Sequence, residues 1–247
     1  DTNKAEITIE QLLTVKTGLE LLKDDNRDGI PDGDDLYNSE DQVVISLSRS
    51  LVGEPGSRNY LYSNSDVMLA GELVKEATGV SVSDYLNTGL GKKIGFTGEW
   101  WVDEQSNVMS YCCLDSTPRS FARFGLLFAR NGLWIADQVL SEDWVRHSTQ
   151  PAKFNEYGYF WWPAGNNGYS ALGVMGQMIS VFPDDDLVIL RFSKYQRMGD
   201  GRAVRESSNY HQTSEPEFFD NQEFIDLVRD AVQSGARSVA SSNASPE

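Results

Sequence analysis

Apolar side chains recur at three- and four-residue spacing through most of this chain, and strand-like runs appear only late in it. The segment Ile7-Thr8-Ile9-Glu10-Gln11-Leu12-Leu13 carries near-helical spacing with Thr8 as its cap, and it ends at Gly18. Residues 24–41 are rich in Asp and Gly and read as a loop. Residues 43–51 fit either a short helix or a strand, and Pro55-Gly56 marks a turn. From Ser65 to Thr78 the positions Val67, Met68, Leu69, Leu73 and Val74 predict an amphipathic helix stopped by Gly79, with another helix over Ser83–Leu90. Pro118–Asn131 repeats the pattern through Phe121, Phe124, Leu127 and Phe128, and Ser141 caps a short helix through Trp144.

Three runs rich in β-formers follow: Tyr157–Trp162, Met178–Phe182 and Leu187–Phe192, the last two joined by a Pro183-Asp184-Asp185-Asp186 turn. Phe218–Val232 places Phe224, Leu227, Val228 and Ala231 on one helical face, and the Ser- and Ala-rich tail from Ser234 is expected to be disordered. Helices in the middle, antiparallel strands after them and a closing helix predict an α+β domain over residues 1–233. No internal repeat is visible.

Composition narrows the classes. A net charge of −16 argues against a nucleic-acid surface, because phosphates would be repelled. No stretch approaches the roughly 18 apolar residues of a membrane span. Cys112 and Cys113 are adjacent, and they read as two small buried thiols because a vicinal disulfide needs a strained peptide. A metal site on them fails for want of partners, with His147 and His211 far away in sequence.

Three ordered segments carry a resemblance: Ile7 to Leu19, Tyr62-Ser63-Asn64 leading into a helix, and Gly173-Val-Met-Gly-Gln177 followed by a strand and Pro183. Thr117–Leu127 and Tyr157–Trp162 lie between them. Together they resemble the β-lactamase-fold serine hydrolases, a group of penicillin-binding proteins, class C β-lactamases, esterases and 6-aminohexanoate-dimer hydrolases. The likeness spans residues 5–195 and is nearest the last two branches. It implies an antiparallel sheet flanked by helices, with a helical subdomain.

The resemblance also assigns roles. A serine hydroxyl is a poor nucleophile until a base takes its proton; in this family a lysine and a tyrosinate share that work. Tyr62 would be the tyrosine, its pKa lowered by adjacent cations, and Asn64 would hydrogen-bond the lysine and the substrate carbonyl. Gly176 would let substrate lie against the strand, and the Gln177 N–H would donate to the oxyanion. Tyr111, Met175 and the Trp161-Trp162 pair are candidate substrate contacts, with one tryptophan ring expected in the core and one on the cleft. The plain alternatives are a loop tyrosine at 62, a helix cap at Asn64 and a bulge at Gly176.

Departures from the family pattern shape the expected function. No serine in the chain has a lysine three residues on, so the Ser-x-x-Lys pair must come from a segment outside these residues. Val174 stands where many members carry Lys or His, which disfavours a penicillin-type substrate and suits a neutral small ester or amide. Without the family's N-terminal strands, the late strands and several helices would leave large apolar faces bare. A complementing N-terminal chain carrying Ser-x-x-Lys is therefore the expected partner. The alternatives are a non-catalytic, calcium-stabilised binding or scaffold member, and a β-lactamase or D-Ala-D-Ala carboxypeptidase.

One further pattern stands apart. Asp24, Asn26, Asp28, Ile30 (through its carbonyl), Asp32 and Asp35 fall at positions 1, 3, 5, 7, 9 and 12 of a loop with Gly29 at position 6. This resembles the calcium loops of thrombospondin type 3 repeats and EF-hand-like modules. It implies a structural Ca2+ ion and a periplasmic or secreted location, where calcium is abundant; the plain alternative is a solvated acidic loop.

Overall fold

The computed structural model describes residues 2–22, 34–57, 62–152, 157–173, 176–192 and 221–243. The first part is helical: α1 (Ile9–Leu13), α2 (Asp34–Tyr37), α3 (Gln42–Ser48), α4 (Asn64–Thr78), α5 (Val82–Thr88) and α6 (Leu90–Ile94). The ribbon β1 (Gly98–Trp100) and β2 (Leu114–Ser116) leads to α7 (Pro118–Ala129), the small hairpin β3 (Leu133–Trp134) and β4 (Asp137–Gln138), and α8 (Glu142–Thr149). The chain then forms β5 (Trp162–Pro163), β6 (Tyr169–Gly173), β7 (Gln177–Phe182) and β8 (Leu187–Arg191), and closes on α9 (Asn221–Asn243).

Local chemistry explains the helix starts. Thr8 caps α1 in a reciprocal box: its hydroxyl accepts from the Gln11 N–H, and the Gln11 side chain accepts from the Thr8 N–H. Ser63 caps α4, Thr117 caps α7 with Pro118 in the first turn, and Ser141 caps α8.

Strands β5-β6-β7-β8 form one antiparallel meander in that order, and side-chain alternation gives it two apolar faces. Ile179, Val181, Val188 and Leu190 meet Phe121, Phe124 and Phe128 of α7, with Trp161 and Tyr169 in the same core. Met178, Phe182 and Ile189 meet Phe224, Ile225 and Val228 of α9. Arg229 fixes α9 further, ion-paired to Asp185 at 2.7 Å with its guanidinium 4.5 Å over the Phe182 ring. In the helical part, α4 packs against α1 and α3. Among the described residues no helix is long and apolar enough to cross a membrane.

Several expectations are corrected. Cys112 and Cys113 are not thiols but a disulfide between neighbours, half-buried, with Cys113 at φ +63 supplying the turn that the short ring demands. Tyr157–Trp162 is not a strand, since pairing begins only at Trp162 and Phe160 adopts φ +63. Helix α2 interrupts the loop expected over 24–41, and α9 continues to Asn243, past Ser234. The sheet's apolar faces, expected to lie bare, are covered by α7 and α9. The exposed large apolar residues of the helical part include Ile9, Val44 and Leu47.

Candidate active site

The candidates Tyr62 and Asn64 stand at the start of α4. Ser63 is the cap, accepting from the Asp66 N–H, so Asn64 is the first helical residue and its amide is not spent on capping. Tyr62 precedes the cap. Its ring meets Tyr157 edge-on at 6.2 Å, and Tyr157 packs on Trp162 at 4.5 Å, giving an aromatic row from α4 to the edge strand β5. Although 40% of Tyr62 is exposed, protein crowding around the phenol pushes its pKa above the ordinary value of 10.0. The cause is desolvation; the lowering that the resemblance implies requires adjacent cations.

A buried charge network that sequence reasoning missed braces this helix start. Arg49 and Asp66 are each about 1% exposed and pair at 2.7 Å. Arg49 also donates to the Ser46 carbonyl at 3.0 Å and to the Ser63 hydroxyl at 2.9 Å. Thr17 donates to Asp66 at 2.9 Å. Beside it, the pKa of Lys16 is lowered by burial. Gly18, at φ +74, accepts from the Val52 and Gly53 N–H groups, and a Cβ there would fall 2.5 Å from the Gly53 oxygen. The segments containing Thr17 and Arg49 are thereby clamped beneath the Tyr-Ser-Asn run. The only advance signal was an arginine in an otherwise apolar and small-residue stretch.

The candidates Gly176 and Gln177 stand at the head of β7. Gly176 takes φ +76, its carbonyl accepts from Arg191 Nη1 at 2.7 Å, and a Cβ would lie 1.5 Å from that nitrogen. Gln177 opens β7 opposite Gly173. The register sets Gln177 two strands from Trp162 and three residues along, about 10 Å in each direction.

The remaining candidates separate. Trp161 is enclosed by Phe124, Phe128 and Tyr169, 4% exposed, and is a core residue rather than a substrate contact. Trp162 is the half-buried member of the pair. Tyr111 is half-buried between Ser110, which donates to the Val67 carbonyl of α4, and the disulfide. Met175 and the loop residues Asp24, Asn26, Asp28, Ile30 and Asp32 lie outside the described residues, while Asp35 falls in α2.

A sheet packed between helices, beside a helical part whose longest helix opens on Tyr-Ser-Asn, defines a β-lactamase-fold protein. The β-lactamase family model matches residues 1–209, and the chain belongs to this family of hydrolases. Solved structures share the fold. A Bacillus anthracis protein described as a 6-aminohexanoate-dimer hydrolase aligns with TM-score 0.65 at 21% identity, over 78% of this chain and 59% of its own. Proteins described as β-lactamases align from Bacteroides dorei (TM-score 0.57, 19% identity, 80% and 67% coverage) and Mycobacterium bovis (0.52, 16%, 81% and 68%). The chain thus spans about three fifths of the first of these structures.

Proposed function

We propose that the protein is a serine hydrolase that cleaves a small neutral ester or amide through an acyl-enzyme. Its serine and lysine come from a complementing segment outside these 247 residues. The observation that carries the reading is the start of α4, where Ser63 takes the cap and leaves Tyr62 and Asn64 for chemistry above a buried Arg49–Asp66 brace. In the reaction Tyr62 accepts the serine proton and returns it to the leaving group, while Asn64 holds the lysine and the substrate carbonyl. The Gln177 N–H and the serine's own N–H share the oxyanion; each such donor contributes on the order of 3 kcal/mol. A lysine ammonium within about 4–6 Å would favour the Tyr62 phenolate and so offset the burial that raises its pKa.

A second reading is a non-catalytic, calcium-stabilised scaffold, favoured by the lack of a Ser-x-x-Lys pair within these residues. The test is labelling with a fluorophosphonate, together with turnover of a chromogenic short-chain ester and of nitrocefin, in a preparation shown by mass analysis to contain the Ser-x-x-Lys peptide. Labelled serine and ester turnover support the hydrolase; silence in that preparation selects the scaffold. Nitrocefin hydrolysis would redirect the substrate class to β-lactams or D-Ala-D-Ala peptides.

A structural Ca2+ ion on Asp24, Asn26, Asp28, Ile30, Asp32 and Asp35 belongs to the same proposal, supported by the ligand spacing. So does a periplasmic or secreted location, which the Cys112–Cys113 disulfide favours because such bonds persist in oxidising compartments.

A further inference from the structure

We infer that Arg191 is a positioning residue for the oxyanion site, setting the direction and donor strength of the Gln177 N–H through the Gly176 carbonyl. The inference rests on the hydrolase reading above and adds a residue that neither the motifs nor the aromatic row contains.

Gly176 C=O and Gln177 N–H belong to one amide. Among the described residues every peptide is trans, so the two groups point to opposite sides of its plane. Arg191 ends β8 directly opposite Met178, and its side chain reaches diagonally along β7 to the Gly176 oxygen at 2.7 Å. Holding the oxygen with Arg191 fixes where the nitrogen's proton points on the opposite side of the amide. A charged donor on the carbonyl also polarises the amide, which makes its N–H a better donor.

The glycine is part of the same device. Its φ of +76 excludes ordinary side chains, and a Cβ would occupy the position of the arginine nitrogen, 1.5 Å away. Arg191 can approach this closely only because residue 176 has no side chain. The cation beside the strand is thus directed at the backbone, in a motif whose own cation position is Val174.

The test uses the protein together with its Ser-x-x-Lys segment. Arg191→Met should lower kcat for a chromogenic ester on the order of 10- to 100-fold, less than outright loss of an oxyanion donor, with KM little changed. Arg191→Lys, which keeps one charged donor, should recover part of the loss, and added guanidinium should rescue Arg191→Met. In 15N-labelled protein the Gln177 amide proton should shift upfield in Arg191→Met. Wild-type kcat and an unmoved Gln177 resonance in a folded Arg191→Met, with Tyr62→Phe still impaired, would overturn this role and leave the hydrolase reading intact. Absence of turnover by the wild-type assembly would overturn both.

Discussion

Arg49→Met is the sharpest test of how the start of α4 is held. The substitution keeps much of the side-chain volume and removes the cation from a site about 1% exposed. Asp66 would retain the Thr17 hydroxyl at 2.9 Å but lose the guanidinium at 2.7 Å, and the Ser63 hydroxyl would lose its 2.9 Å donor. A buried ion left without its partner costs about 3–5 kcal/mol. In a chain of this size that corresponds to a fall in Tm of about 6–20 °C. Thermal and urea melts followed by circular dichroism measure it. The double variant Arg49→Met/Asp66→Leu should recover much of the loss, because removing both charges removes the unpaired one as well. A single-variant loss below about 1 kcal/mol, the range of a surface pair, would refute the reasoning.

Other outcomes follow from the site and the fold. Tyr62→Phe should lower ester turnover by the complemented protein at least about 100-fold, the lower range for a positioned acid–base group, and near wild-type rates would remove Tyr62 as proton carrier. Asp28→Ala should abolish stabilisation by added calcium; an unchanged calcium response in thermal melts would refute the loop assignment. Burial pushes the phenols of Tyr62 and Tyr169 upward, and Tyr169 also donates to the Phe128 carbonyl at 3.1 Å. The stabilisation linked to these raised values is fully present below the unfolded pKa of about 10 and is lost as pH rises toward the folded values. Melts between neutral and strongly alkaline pH should show stability falling only above about pH 10. Ionisation of every tyrosine in the folded protein with an apparent pKa of about 10 would contradict the burial of Tyr169.

Much of the helical skeleton was legible in the residues because caps and amphipathic spacing are local. Thr8 with Gln11, Ser141 and the Phe121–Phe128 stripe each state their role within a few positions. The Tyr157–Trp162 run misled because aromatic content signals burial as readily as strand, and here Tyr157 and Trp161 are buried in an irregular segment. The disulfide escaped because spacing alone says nothing about whether a left-handed Cys113 will be tolerated by its surroundings.

The amino-acid order determined the fold class, through local caps and spacings and three ordered motifs, and it holds no Ser-x-x-Lys pair. Which side chains share a space was decided by tertiary packing. Arg49 and Asp66, 17 residues apart, become one buried pair only when α4 docks on the segment before it. Trp161 and Trp162, adjacent in the chain, part company because one faces the α7 core and the other meets Tyr157. Arg191 reaches Gly176 only through the β7–β8 register. Such pairings depend on the relative placement of distant elements, which the energetics of burial select and no local spacing encodes.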